Sequence, residues 1–161
     1  MAELKDVGPA FMETAHTIVW CSAATVDRKG RPRSRIFHPI WEWEDDALVG
    51  WIAAHPTPLI RAHLNHSPYM SCSYWTEAQN TCTAECHAEL KFDEETRIKV
   101  WDKFKQAPPA VGYDPGIVTR WRTPTSDAFA VVRLEPWRLR VYPMTSFLAA
   151  DPAQDVLVWQ R

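Results

Sequence analysis

The chain has 161 residues, 46% hydrophobic and 24% charged, which is the size and make-up of an ordinary globular domain with room for a core. Eighteen Lys and Arg against twenty Asp and Glu leave a formal net charge of −2, an argument against a generic binder of nucleic acid or acidic membrane. No apolar run approaches membrane-spanning length, and the N-terminus lacks the basic-then-apolar layout of a secretory leader, so a cytoplasmic location is expected.

In chain order, Pro9 is expected to start a short helix over 9–16, and the β-rich stretch 18–26 reads as a buried strand. A turn at Asp27–Gly30 then opens a second strand over about 33–43. Arg31, Arg33 and Arg35 alternate along it, so they share one face, which Phe37 and Trp41 continue. The acidic group Glu42, Glu44, Asp45 and Asp46 marks the next turn, and 47–54 forms a third strand. Thr57 is a fair N-cap and Pro58 suits the first helical position, giving a helix to about Asn65. Residues 69–75 resume extended structure.

The cleanest alternation lies between 81 and 92 and predicts a long half-buried antiparallel strand, with Cys82, Ala84, Cys86, Ala88, Leu90 and Phe92 on the buried side. A helix over 94–106 follows, with Asp93, Glu94 and Glu95 at its positive end and Ile98, Trp101 and Phe104 on its buried face. The Pro- and Gly-bearing stretch 107–116 reads as a loop. A last β pair, 127–134 and 137–142, is bent at Pro136, and a strand or arm follows Pro143. Six antiparallel strands with inserted helices point to a small closed or split barrel.

Four cysteines in a chain of this length do not read as a disulfide scaffold. Cys82, Cys86 and His87 invite a metal reading, but on a strand Cys86 and His87 face opposite ways, and the cysteines sit in a row of Ala, Leu and Phe. Core thiols are the preferred reading and no metal is expected. His38, His55, His63 and His66 are scattered without an identifiable partner, and no nucleophile-elbow or phosphate-loop pattern is present. Arg120-Trp121-Arg122 and Trp137-Arg138-Leu139-Arg140 are aromatic-basic clusters, which the acidic balance of the chain assigns to a ligand or an interface rather than to nucleic acid. Nine tryptophans are too many for one small core to hide, so some are expected at a cleft or subunit interface. The arginine row, Trp51 and the helix start at Thr57-Pro58 together suit a ligand with an anionic end and a flat ring, such as flavin mononucleotide (FMN).

Several pieces then line up in order and spacing: Gly30-Arg31-Pro32-Arg33-Ser34-Arg35, His38-Pro39-Ile40-Trp41-Glu42, Gly50-Trp51-Ile52-Ala53, His63-Leu64, Ser73-Tyr74-Trp75, Ala84-Glu85-Cys86, Gly112-Tyr113-Asp114-Pro115 and Leu134-Glu135-Pro136-Trp137-Arg138. Over about residues 14–142 the chain resembles the pyridoxamine 5'-phosphate oxidase-like family of flavin-binding split barrels, particularly its general-stress-protein-like and deazaflavin-using branches. The resemblance implies a mainly β fold, a six-stranded antiparallel split barrel spanning 1–161 with a C-terminal arm at 143–161. It implies a homodimer with two flavin sites at the subunit interface and a small-molecule substrate. By the same resemblance Arg35 grips the phosphate, Ile52, Ala53 and Ala54 line the ring through backbone groups, and Thr57 closes on the phosphate. Thr81 approaches the ring edge, while Trp137 and Arg138 reach across from the partner subunit. Aligned on His63-Leu64, Ile60 stands where many relatives carry a phosphate-binding lysine, and Ala54 where they carry a hydroxyl residue. Arg61 is the adjacent candidate to replace that lysine. The implied activity is flavin-dependent hydride or electron transfer. Deazaflavin-dependent reduction and a cofactor-free binding or regulatory module are the alternatives, and no catalytic acid or base is named.

Overall fold

The computed structural model describes residues 2–161; Met1, the first residue of the segment read for a leader, lies outside them. The chain folds as α1 (Leu4–Ile18), β1 (Cys21–Val26), β2 (Pro32–Phe37), β3 (Pro39–Glu44), β4 (Ala47–Ala54), α2 (Pro58–His66), β5 (Tyr69–Trp75), β6 (Thr81–Lys91), α3 (Glu94–Gln106), β7 (Ala130–Tyr142), α4 (Met144–Leu148) and β8 (Leu157–Gln160). All pairings are antiparallel, in the order β2-β1-β5-β6-β7-β4-β3, with β8 added on β7. Eight strands are present where six were expected. The first correction is the 33–43 strand, which breaks at His38 into β2 and β3. Pro39 brings no N–H to a ladder, and the two pieces lie at opposite ends of the sheet order, one paired with β1 and the other with β4. No ladder joins β2 to β3 among the described residues, so the barrel is split there. The second addition is β8, formed by the C-terminal arm as it returns to pair Leu157–Gln160 with Arg138–Val141.

The expected bent pair at 127–142 is one 13-residue strand, β7. A register shift between Glu85 and Cys86, opposite Pro136, absorbs the missing proline donor, so β7 continues past it. The first helix begins at Leu4 rather than at Pro9. Glu3 and Asp6 form reciprocal capping contacts that start it, and Pro9 sits inside with its ring at the exposed face. In α3, capped by the Asp93 carboxylate on the Thr96 N–H, the buried residues are Val100, Trp101 and Phe104. Ile98 is 38% exposed, because the helix turns that position off its contact stripe.

The alternation along β6 holds as far as Ala88, with Cys82, Ala84, Cys86 and Ala88 buried; Leu90 is only half-buried, and Phe92, past the strand's end at Lys91, is 43% exposed. The four buried residues face a core shared with Phe11, Trp41, Met70, Tyr74, Leu134 and Leu139. Burial pushes the Cys82 thiol up to about 12 and holds Cys86 well above the ordinary thiol range, so both stay protonated as packing groups. A second core lies on the other face of β3 and β4, where Ile40, Val49 and Trp51 meet Trp101, Phe104, Trp121 and Phe129. Covered on both faces, β4 is the rigid spine of the fold. No helix among the described residues is long and apolar enough to cross a membrane.

Candidate functional site

A cavity of about 630 Å³ opens where β2 ends, β4 ends and α2 begins. That volume is within the usual range for small-molecule and cofactor sites. Arg35 and Phe37 come from β2, Ala53 and Ala54 from β4, and Thr57 and Ile60 from the start of α2. The segment after α3 supplies the far wall with Tyr113, Ile117, Arg120 and Trp121.

Arg35 is placed by a buried relay. Its Nη1 donates to Thr25 Oγ1 at 2.9 Å, and the same hydroxyl shares a second hydrogen bond, also 2.9 Å, with His63 Nδ1. Thr25 is 1% and His63 4% exposed. Arg35 Nη2 is buried without any hydrogen-bond partner, and no carboxylate pairs with the guanidinium among the described residues. Burial lowers its pKa from the ordinary arginine value and the neighbouring Arg33 charge adds to that, so an anion would stabilise the site.

The start of α2 offers one free donor. Thr57 Oγ1 accepts from the Ile60 N–H at 3.3 Å, Arg61 N–H bonds back to the Thr57 carbonyl, and Pro58 has no N–H, which leaves Leu59. At the other lip β4 outruns β3, whose register ends at Pro39 opposite Ile52. Ala53 and Ala54 remain in register with β7, and since backbone groups alternate in direction along a strand, one of the two turns its N–H and C=O to the open side, where they can meet the polar edge of a ring. His55 donates from Nδ1 to the Ala128 carbonyl at 2.8 Å, leaving Nε2 as an acceptor.

His38, the residue at the strand break, is 8% exposed and packs against Trp20, Phe104 and Tyr113 at ring distances of 5.0, 5.6 and 5.2 Å. Burial lowers its pKa, the nearby His16 pushes the same way, and a hydrogen bond to the Val111 backbone opposes them. Burial alone pushes the Tyr113 phenol up to about 12, so it remains a donor.

Of the residues singled out from sequence, the structure brings Arg35, Ala53, Ala54 and Thr57 to this cavity. Arg33 lies next along the same face but is exposed and does not line it. Trp51 turns to the second core, its indole N–H on Glu42 at 2.8 Å, because β4 is covered by α3 on that face. Ile52 faces the first core. Arg61 points away, with its Nε on the Pro56 carbonyl and its guanidinium 4.4 Å from the Phe92 ring centre, so it does not stand in for Ile60, which lines the cavity. Thr81 borders a separate groove near Thr14 and Tyr142. Trp137 and Arg138, the latter paired with Glu85 at 3.1 Å, do not line this chain's own cavity. Sequence reasoning missed Trp20, His38 and Tyr113 as walls; Arg120-Trp121 was noticed as a cluster but not placed.

No protein-family model matches this sequence, and no curated protein matches it significantly. Solved structures do match in three dimensions. A protein related to general stress protein 26, of the pyridoxine-phosphate oxidase family, from Clostridium acetobutylicum superposes with a TM-score of 0.71 over 99% of this chain and 96% of its own, at 8% identity. The fold is the pyridoxamine-phosphate-oxidase-like split barrel. A second split barrel, an FMN-binding protein from Nostoc punctiforme, gives 0.63 over 100% and 98% at 11% identity. An F420 reductase gives 0.54 over 80% and 94% at 12% identity.

Proposed function

We propose that this chain binds FMN or a deazaflavin relative in the 630 Å³ cavity and serves hydride or electron transfer to a small substrate. The observation that carries the reading is Arg35: a guanidinium held in place by Thr25, with a buried Nη2 lacking any partner, at the wall of a mainly apolar cavity. Such a group fits a phosphate, which accepts charge-assisted bonds. Thr57 lies on the same cavity and would close on the anion end, while the edge of β4 left open beyond β3 suits the ring edge. When bound, the flavin supplies the two-electron chemistry. The protein's own part is to hold the phosphate, orient the ring and exclude water with the wall of Trp20, Tyr113 and Trp121.

The proposal includes a homodimer. The outer face of β1, β2 and β5 carries the small residues Ser22, Ser34, Ser71 and Ser73. Around them stand Trp20, Ile36, Tyr69 and Trp75, each more than half exposed. A flat centre rimmed by exposed apolar groups suits a second copy, which would bring Trp137 and Arg138 from the partner toward the site.

A second reading, a barrel without cofactor acting as a binding module, is favoured by Ile60, an apolar side chain on the cavity beside Thr57. Titration with FMN, riboflavin and a deazaflavin separates the readings. FMN binding tighter than riboflavin, with the difference lost in Arg35→Ala, supports the first. The expected loss is roughly ten- to a hundredfold for one charge-assisted contact. A protein that takes up no flavin of either kind moves the assignment to the module. Sedimentation of wild type and of Trp75→Glu tests the dimer, which the charge should dissociate.

A further inference from the structure

The chain carries net negative charge, yet the residues lining the cavity include two arginines and no Asp or Glu. Arg35 belongs to the β2 wall. Arg120 belongs to the segment after α3, on the far wall, and makes no ion pair or side-chain hydrogen bond among the described residues. The same cavity is lined by Tyr113, whose hydroxyl has no hydrogen-bond partner among the described residues, by Trp121 and by the exposed Trp20. In the proposed function one flavin phosphate would be served by Arg35 and Thr57. The second cation and the Tyr113 hydroxyl have no part in that reading, and the rings of Trp20, Tyr113 and Trp121 serve it only as a wall.

We propose that the cavity takes, beside its cofactor, a planar organic acid as the second reactant, its carboxylate paired with Arg120 and its ring held among Trp20, Tyr113 and Trp121. This rests on the reading of the Arg35 end as the cofactor's. A guanidinium presents a planar fork that matches a carboxylate bidentately, and indole faces hold flat rings. The phenol of Tyr113 remains a donor toward the same group. A neutral analogue of equal shape would keep the ring contacts and lose the ion pair.

Calorimetric titration of the full chain, with and without saturating FMN, uses 2-naphthoate and its neutral amide 2-naphthamide as probes. The expected result is naphthoate binding at least about tenfold more tightly, a preference erased in Arg120→Gln and largely kept in Arg120→Lys. Arg120 is exposed and makes no structural bond, so these variants are expected to fold, and thermal unfolding checks it. Equal affinity for the two probes, no naphthoate binding at millimolar concentration, or an acid preference that survives Arg120→Gln overturns the proposal. So does an Arg120→Gln variant that instead loses the preference for FMN over riboflavin, because Arg120 would then serve the cofactor. An Arg35→Gln variant whose FMN-to-riboflavin preference is unchanged would refute the cofactor reading while leaving the acid preference standing.

Discussion

Replacing Thr25 by valine removes one hydroxyl and changes almost no volume, yet it cuts the relay at its centre. Arg35 Nη1 loses its acceptor and His63 Nδ1 its hydrogen-bond partner, two bonds of 2.9 Å each. His63 is too deeply buried to recruit solvent, whereas Arg35 is only half-buried and can turn outward. One buried group left unsatisfied costs about 1–3 kcal/mol. At about 2–4 °C per kcal/mol for a chain of this size, the melting temperature should fall by roughly 2–12 °C. The ligand effect is separable: a guanidinium no longer held at the phosphate end should lose about 1 kcal/mol of the preference for FMN over riboflavin, roughly fivefold. Fluorescence titration with the two flavins reads this ratio, and calorimetry reads the stability. In an Arg35→Ala background Thr25→Val should change the ratio no further. A Thr25→Val protein that melts earlier but keeps the full FMN preference would refute the relay as a positioning device.

Other outcomes follow from the same geometry. Tyr74→Phe removes the acceptor of the Trp41 indole N–H, bonded at 2.8 Å in the core, and should cost about 1–3 kcal/mol by denaturant titration. Gly50→Ala places a Cβ 2.7 Å from the buried Trp41 ring and should destabilise by about 1–3 kcal/mol, seen as an earlier melt. Trp51→Phe should leave flavin affinity unchanged, because Trp51 lies off the cavity; a marked loss would relocate the ring site. Burial lowers the pKa of His16 and of His38, so as pH falls through about 6.5 the unfolded chain takes up protons that the folded one refuses. Stability should therefore be fully retained above that pH and decline below it; denaturation midpoints that stay flat from pH 7.5 to 5.5 would contradict this.

The parts of the fold written in local pattern were legible in the sequence. Strands β4 and β5, the alternation of β6, and the capped starts of α2 and α3 lie where propensity and caps put them. The break at His38 was passed over although Pro39 signals it, and only tertiary pairing tells which edge each half joins. The return of β8 depends on an edge that β7 offers only once the sheet exists. In the site, alternation along β2 and the Thr57-Pro58 helix start located half of the cavity. Trp51 was misplaced because a strand buried on both faces gives no sign of which core each side chain joins. The far wall came from a loop with no period to read, so Tyr113 and Arg120 were found only by their positions in space.

The chain crosses from one margin of the sheet to the other through the single residue His38, and β2 is anchored on one side only, by β1. A guest touching Arg35 on β2 and Ala53–Ala54 on β4 would stitch the two margins together across a seam that hydrogen bonding leaves open. Occupancy of the cavity and tightness of the barrel would thus be one equilibrium, and amide exchange along β2 is the gauge that reads both.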